Sequence, residues 1–428
     1  MIKILLNEWQ EILPNYKNGL INFYFKNYKS QKIVEKLKEK KILQIDELKK
    51  GLRIRSFSYV GKIEIENVQI KVITKIDKLP LLRLLKYTYN LKDLKILEKS
   101  LYSLKKTNFF DILIYQLYLE IETIYRLGLI RFYKRQNDYL KSPRGIIDIN
   151  RLYSKKYPPP DALPCIYYER NSDNLLNSLL IAGLKLALQM TDSSSLKQKL
   201  SLFYRLISEH TNHIKINNNN IKKAFSMINR LNSHYLPALN IIKLLFEVKG
   251  LSMENSMHYF NGFFFDMNKF FQDLLSKLAD EFLINYNIKK EYVLSNLFEY
   301  DKSFNPKGRN NPKIRPDFAV LKKDKVILFI DAKYRDLWEK PLPREMLYQL
   351  TIYSFSGVES NQVKILYPTM NETAIIQKIK FKNPANNKYK SEIILQPVLL
   401  SKISNLLFKN NFELEKYTNE IFFLQLKI

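Results

Sequence analysis

The sequence predicts an α+β chain of several domains: a small β-rich N-terminal part, a mostly helical middle and a mixed α/β C-terminal part. Three observations predict it. Polar and apolar residues alternate over 56–65 and again over 68–73, the period of half-buried strands. Helical spacing of apolar residues dominates from 163 to 251. Beyond residue 263, helix-like and strand-like segments follow one another. A chain of 428 residues is expected to hold two or three domains, here 1–157, 158–255 and 256–428. An apolar share of 46% is enough for sizeable cores, and 10 glycines argue against long flexible linkers.

Residues 1–50 are polar and lysine-rich. The stretch 31–50 reads as a basic amphipathic helix, with Ile33, Val34, Leu37, Ile42 and Leu48 as its apolar positions. A solvated face explains its charge better than a dedicated nucleic-acid grip. The alternating stretches 56–65 and 68–73, joined at Asn67, form a β-meander with one polar face, which Pro80 ends. Residues 81–91 then have helical periodicity. A long helix is expected over 108–131, with Ile112, Leu113, Leu117, Ile121, Ile124 and Leu127 inward and Gly128 as its stop. Residues 129–135 and 144–149 are short and strand-like. Pro158, Pro159 and Pro160 mark a loop and a boundary. In the middle part 174–189, 194–210 and 235–248 are amphipathic helices, and the asparagine run within 216–221 is a loop. Phe263, Phe264 and Phe265 open the last part, and Asp266 is a good N-cap for a helix to about residue 284. The tail, 375–428, adds strands and one helix.

Composition excludes several classes. No run of 18 apolar residues exists, so no membrane span is expected; the best candidate, 175–190, is broken by Asn177, Ser178 and Lys185. The apolar start, 1–6, is too short for a signal-peptide core. A single cysteine, Cys165, leaves no internal disulfide and suits a reducing cytoplasm, with packing as its default role. The four histidines, His210, His213, His234 and His258, lack the companions of a zinc site. A formal charge of +28 attracts polyanions, nucleic acid above all. The abundance of Lys, Asn and Ile together discounts that signal, because AT-rich coding raises all three. No G-x-x-x-x-G-K-[ST] occurs, so the chain itself is expected to bind no nucleotide.

The chemistry concentrates in 315–354. Phe318-Ala319-Val320-Leu321 is a short apolar stretch, Lys322 to Lys325 a polar break, and Val326-Ile327-Leu328-Phe329-Ile330 a run typical of a strand buried on both faces. A tight turn pairs the two strands antiparallel. Asp317 then lies opposite Ile330 or Asp331, depending on turn length. Strand alternation puts Asp331 and Lys333 on one face and Ala332 on the other. Two carboxylates at the roughly 5 Å of opposed Cβ atoms repel unless a cation sits between them. A hard ion such as Mg²⁺ suits such a pair, and a lysine beside it can hold an attacking water and steady a developing anion. Gln349 and Tyr353, at i and i+4, share one helix face that can turn to the same site.

Pro316-Asp317, Asp331-Ala332-Lys333 and the Gln349–Tyr353 pair together resemble the PD-(D/E)XK nuclease superfamily with its Q-x₃-Y helix. A bare D-x-K is more often a solvated strand end; the preceding Pro-Asp, the spacing and the Gln/Tyr helix reverse that balance. The likeness extends through Leu84-Leu85-Lys86-Tyr87-Thr88-Tyr89, Arg126-Leu127-Gly128-Leu129, Arg144-Gly145-Ile146-Ile147-Asp148, residues 165–177, Phe265-Asp266-Met267-Asn268-Lys269 and Leu366-Tyr367-Pro368. In these the chain resembles the McrC family, the nuclease subunit of McrBC-type modification-dependent restriction systems of antiviral defence. Residues 1–75 match most weakly. The resemblance implies a restriction-endonuclease-like core and Mg²⁺-dependent cleavage of double-stranded, modified DNA, with Mn²⁺ as a substitute ion. It also implies a McrB-like AAA+ GTPase hexamer as partner, into which the N-terminal part inserts and whose hydrolysis it stimulates. Carried over, Asp317 and Asp331 ligate the metal with Ala332 in the ligand set, Lys333 positions water, and Gln349 and Tyr353 support the site. One departure stands out: the first core helix offers Gln272 where many relatives place a glutamate, and Asp273 or Glu281 can substitute only if that helix is rotated. Arg53, Arg55 and Arg144 are candidates for touching partner or DNA, with plain surface arginine as the equal alternative for the first two. Trp338 is a stacking or a packing residue. Two other readings stay open: an assembly and GTPase-activating subunit with a weak or inert nuclease core, and a basic DNA-binding protein without chemistry.

Overall fold

A computed structural model describes residues 1–91, 109–154, 161–249, 262–284, 286–295, 297–322, 325–356, 361–383 and 385–423 of the protein. In chain order the first elements are β1 (Ile2–Asn7), β2 (Glu11–Ile12), α1 (Tyr28–Glu39), β3 (Leu43–Leu48), β4 (Gly51–Ser56), β5 (Tyr59–Ile65), β6 (Val68–Ile73) and α2 (Lys78–Thr88). Next come α3 (Phe109–Leu127), β7 (Phe132–Leu140), β8 (Ile146–Ile147), α4 (Ile149–Ser154), β9 (Leu163–Asn171), α5 (Leu175–Met190), α6 (Ser194–Ser208), α7 (Asn218–Ser226) and α8 (Leu236–Lys249). The last stretch holds β10 (Gly262–Asp266), α9 (Met267–Phe282), β11 (Asn287–Lys290), β12 (Phe318–Lys322), β13 (Lys325–Ala332), α10 (Arg344–Phe355), β14 (Gln362–Thr369), β15 (Gln377–Lys382), β16 (Tyr389–Leu399), α11 (Leu400–Leu406) and α12 (Asn411–Phe423).

These residues form two compact units, Met1–Thr88 with Leu251–Ile428, and Tyr89–Gly250. The boundaries expected at 157/158 and 255/256, the Pro158–Pro160 loop and His258 lie outside the described residues. The first unit gathers both ends of the chain because β10 pairs antiparallel with β5, from Gly262 against Ile63 to Asp266 against Tyr59. The three phenylalanines expected to open a separate last domain instead extend the N-terminal sheet, ordered β1-β6-β5-β10. Glycine permits the close approach: a Cβ at Gly61 would lie 2.0 Å from the Phe263 carbonyl oxygen. Ile63, Ile65, Val68, Ile70 and Val72 of the expected meander turn inward with Ile4, Leu6 and Phe264, burying the apolar face that alternation predicts.

The helix expected over 31–50 is two elements. α1 stops at Glu39, Lys41 takes a left-handed φ of 51°, and Leu43 and Ile45 are then buried at strand spacing in β3. Ile33 and Leu37 face the core from α1. Before the two alternating stretches, β4 pairs with both β2 and β3 in a separate three-stranded sheet.

A six-stranded sheet, ordered β11-β12-β13-β14-β16-β15, forms the other half of this unit. β13, β14 and β16 run parallel, and the apolar run expected to be buried on both faces is the central β13. Leu350 and Tyr353 of α10 join Ala319, Phe329, Val363, Ile365 and Ile393 in the core on one face. On the other, Phe318 meets Phe422 of α12 edge to face, 6.0 Å between ring centres. Lys364, fully buried in β14, donates to the Ile421 and Phe422 carbonyls at the end of α12, 3.2 and 2.9 Å away. Those orphaned C-terminal carbonyls suit a cation, while burial pulls the Lys364 ammonium down to about 7. The tail ends in two helices rather than one.

In the second unit β7, β9 and β8 form a sheet beside the helices α3 and α5 to α8. β9 corrects the helical reading that began at Leu163: its nine residues pair with β7 throughout. The asparagine run caps a helix instead of looping, since Asn217 Oδ1 accepts from Asn220 N at 2.8 Å. Asn177, which breaks the apolar run 175–190, is buried in a network: it accepts from the Tyr235 hydroxyl at 2.7 Å and donates to the Ile130 and Ser172 carbonyls. Gly145 takes φ +76° with a built Cβ falling 2.3 Å from the Ile166 carbonyl oxygen, so the Arg144-Gly145 pair marks a close approach to β9. Among the described residues, no helix is long and apolar enough to cross a membrane.

Candidate functional site

The hairpin β12–β13 builds the site. Phe318 pairs with Ile330 and Lys322 with Lys325, and a register shift between Val320 and Leu321 absorbs the odd residue. Extended by one position, that register sets Asp317 opposite Asp331, resolving the alternative that turn length left open. Asp317 Oδ2 accepts from the Ala332 backbone N–H at 2.8 Å. Lys333 Nζ lies 3.2 Å from Asp331 Oδ2. The parallel neighbour fixes the end of β13, because Lys333 N donates to the Leu366 carbonyl at 3.0 Å.

Asp331 is 2% exposed, and its Oδ1 has no hydrogen-bond partner. A buried carboxylate oxygen left bare is costly. Burial raises the Asp331 carboxyl to about 6; Lys333 opposes that rise, and the Asp317 charge adds to it. Burial also raises Asp317, against the pull of Lys333, the Ala332 N–H and Gln272. Burial draws the Lys333 ammonium down, but Asp331 and Asp317 outweigh it and hold it above its ordinary range. The two carboxyls thus compete for a proton that a cation between them would displace.

Two helices close the site. Asp266 caps α9, its Oδ1 accepting from Asn268 N and Lys269 N at 2.9 and 3.1 Å. Gln272, less than two turns further on, reaches the Ala332 carbonyl with Nε2 at 3.4 Å and steadies the Asp317 carboxylate. Glu281 faces elsewhere, accepting from the Tyr87 hydroxyl at 2.5 Å. From α10, Gln349 Nε2 donates to the Tyr353 hydroxyl at 2.6 Å. Tyr353 is buried against Phe329, and burial, together with the Asp331 and Asp317 charges, raises its hydroxyl to about 12. Asp317, Asp331, Lys333, Gln272, Gln349 and Tyr353 are therefore gathered in one place.

The arginine candidates separate. Arg53 is held in β4 by Asp46, 2.5 Å away, and by Glu11 at 3.6 Å, a structural ion pair. Arg55 is exposed, its guanidinium 5.5 Å from the Phe57 ring centre. Arg144 lies over Tyr167 at 4.2 Å, in the second unit. Trp338 is partly buried and packs against the core that holds Leu337 and Tyr353. Cys165 is buried in β9 and unbridged.

Sequence reading missed the residues that fix the segment after Lys333. Asn268 Oδ1 accepts from Tyr334 N at 2.9 Å, which gives a physical reason for the Phe-Asp-Met-Asn piece. The Tyr334 hydroxyl meets Glu8 Oε2 at 3.2 Å, and Trp9 Nε1 donates to the Tyr334 carbonyl at 2.9 Å. An acid and a tryptophan directly after an alternating strand were the available signal.

Oxygen donors for a hard cation are present: the Asp317 and Asp331 carboxylates, the bare Asp331 Oδ1 above all, with the Ala332 carbonyl and the Gln272 amide alongside. Among the described residues, no three His, Cys, Asp or Glu side chains cluster at metal-binding distance, so any ion here has two protein carboxylates and an incomplete shell.

Comparison with known proteins follows the same line. The family model described as the McrBC 5-methylcytosine restriction system component matches residues 54–368. No curated protein matches the chain. Among solved structures the chain is similar to one from the refined half-complex of the tetradecameric assembly of Thermococcus gammatolerans McrB AAA+ hexamers with bound McrC. The TM-score is 0.64 at 19% identity, over 98% of this chain and 100% of that one. A second likeness, to a chain of the cryo-EM structure of the Thermococcus gammatolerans McrBC complex, has a TM-score of 0.46 at 20% identity, over 66% of this chain and 88% of that one. The first shows a shared fold; the family model spans most of the chain, and the chain belongs to the McrBC family of restriction system components.

Proposed function

We propose that the chain is the DNA-cutting subunit of a McrBC-type restriction system, a metal-dependent endonuclease that works in assembly with an AAA+ GTPase. The observation that carries this reading is the pairing of Asp317 with Asp331, one oxygen of Asp331 bare, and Lys333 ion-paired beside them. Asp317, Asp331 and the Ala332 carbonyl would hold a magnesium ion. Such an ion supplies Lewis acidity toward a phosphate and lowers the pKa of water. The chain's own residues do the rest. Lys333, held charged by both carboxylates, donates hydrogen bonds to an attacking water and to the developing anionic oxygen. The Ala332 N–H and Gln272 fix the Asp317 carboxylate. Tyr353, pinned by Gln349, walls the site from α10. Double-stranded DNA carrying a modified base is the proposed substrate, and the partner is the part that reads the modification. The absence of a phosphate-cradling motif from this chain fits that division of labour.

Gln272 favours a second reading, in which the nuclease core is weak and the chain acts mainly to assemble and stimulate the GTPase. Magnesium titration followed by thermal unfolding separates the two. The first reading expects magnesium to raise the melting temperature of the wild type but not of Asp331→Ala, with GTPase stimulation equal in both. No response of the wild type to magnesium sinks it.

A further inference from the structure

Just past Lys333 the chain turns sharply, the Arg335 N–H donating to the Lys333 carbonyl at 2.8 Å. The end of β1 clips the loop that follows. Besides the Tyr334 contacts of Glu8 and Trp9, Lys340 Nζ donates to the Trp9 carbonyl at 2.7 Å. This clip, wholly within the first unit, brings four cations together: Arg55 at the end of β4, Lys75 just after β6, and Arg335 and Lys340 of the loop. Burial draws Arg335 below its ordinary range and Arg55 adds to the effect; burial lowers Lys340 too, helped by Lys75, Arg335 and Arg55. Lys340 therefore lies in the field of the other three, with Asp336 opposing them, and Arg335 in that of Arg55. The Arg335 guanidinium sits 5.3 Å from the Trp9 ring centre and Arg55 lies over Phe57, and the two rings meet edge to face at 5.9 Å.

Among the described residues none of the four makes an ion pair with a carboxylate, although the Lys75 charge acts on Glu8. Asp336, the acid of the same loop, is already engaged: Oδ1 accepts from Trp338 N and Glu339 N, and Oδ2 from the Thr369 hydroxyl. Glu8 is buried, and burial lifts its carboxyl to about 7. Arg335 Nε is buried without a hydrogen-bond partner. Beside these groups opens a small cleft whose lining includes Glu8, Trp9, Lys75, Arg335 and Asp336.

Four like charges held together by fixed aromatic and backbone contacts repel one another until an anion arrives. A row of phosphodiesters supplies single negative charges at regular spacing, and arginine's fork matches phosphate oxygens. We propose that Arg55, Lys75, Arg335 and Lys340 grip the DNA phosphate backbone next to the bond being cut, so that the N-terminal sheet helps to hold the nuclease's substrate. This rests on DNA being the substrate. The grip reads no sequence, since phosphate contacts position the duplex and leave the bases unread.

The test uses the full chain and a short fluorescent DNA duplex, without metal, over a range of salt. The double variant Arg55→Gln/Lys75→Gln changes only N-terminal residues outside the cutting site. It should bind more weakly, and its slope of log affinity against log salt should be shallower by about 2, roughly 0.9 per lost phosphate contact. Equal urea midpoints would show that the double variant is folded. A folded double variant with wild-type affinity and slope overturns the proposal. So does an unchanged DNA slope with lost stimulation of the GTPase partner, which would assign the cluster to an acidic protein surface. The nuclease reading fails separately: a shallower slope in a chain that never cuts DNA leaves the grip standing and removes the cleavage.

Discussion

Asp331 is the residue on which the proposed chemistry turns. It is buried, its Oδ1 has no hydrogen-bond partner, and the Asp317 charge helps to raise its carboxyl, an arrangement that the proposed cation would relieve. Gln272 holds a place where one further charge would matter. Gln272→Glu should raise the affinity for magnesium by about tenfold, ~1.4 kcal/mol, because a third carboxylate joins two others. Calorimetric titration of both proteins checks this, and equal affinities would place residue 272 outside the ion's reach. Glu8 gives a prediction in pH. Its folded carboxyl titrates at about 7 against an ordinary 4.5, so the folded state holds a proton that the unfolded chain has released. The stability owed to neutral Glu8 is complete below about 4.5, falls as pH rises, and is gone above about 7, a loss of about 3 kcal/mol at most. The groups facing it are the Tyr334 hydroxyl and Lys75. Urea midpoints between pH 5 and 8 should fall for the wild type and stay flatter for Glu8→Gln; parallel curves would show that Glu8 does not drive the change.

At the scale of elements, the junction of β5 and β10 ties the two ends of the first unit together. Gly61→Ala sets a Cβ against the Phe263 backbone and should cost about 2 kcal/mol or more, read as a lower urea midpoint. An unchanged midpoint would mean the strands can part without loss. The elements legible in the sequence are those whose period is long and unbroken. β13 announced itself as an apolar run, and α9 by the cap at Asp266 and inward Phe270, Phe271, Leu274 and Leu278. β11 was missed because its four residues, Asn287 to Lys290, are mostly exposed on the sheet edge and carry little apolar signal. β9 was read as helix because its pairing with β7 across the intervening chain leaves no local trace. The extension of the N-terminal sheet by Phe263–Phe265 is equally non-local. Of the site residues, Asp317, Asp331, Lys333 and Gln272 come together because one hairpin and one helix face place them, and the Gln349–Tyr353 pair lies on α10 near enough for both carboxylates to act on Tyr353. Glu8 and Trp9 went unread because they act across more than 300 residues of chain.

For the whole molecule, a charge of +28 acquires a location. Most of its lysines are surface residues of a lysine-rich chain, while Arg55, Lys75, Arg335 and Lys340 lie around the loop that follows Lys333. The chain belongs to the McrBC family of restriction system components, and in the proposed assembly a GTPase finds modified DNA and this chain cuts it. The measurement that tests this account most directly is plasmid cleavage with magnesium by wild type and Asp331→Ala. Each is tested alone and with a McrB-type AAA+ GTPase plus GTP, on DNA from modifying and non-modifying hosts. The account predicts breaks in modified DNA with wild type, partner and GTP together, and at least about a thousandfold less cutting by Asp331→Ala, the ~4 kcal/mol expected when the ion's charge stabilisation is lost. Undiminished cutting by Asp331→Ala, or faster GTP hydrolysis with no breaks from either protein, would contradict it.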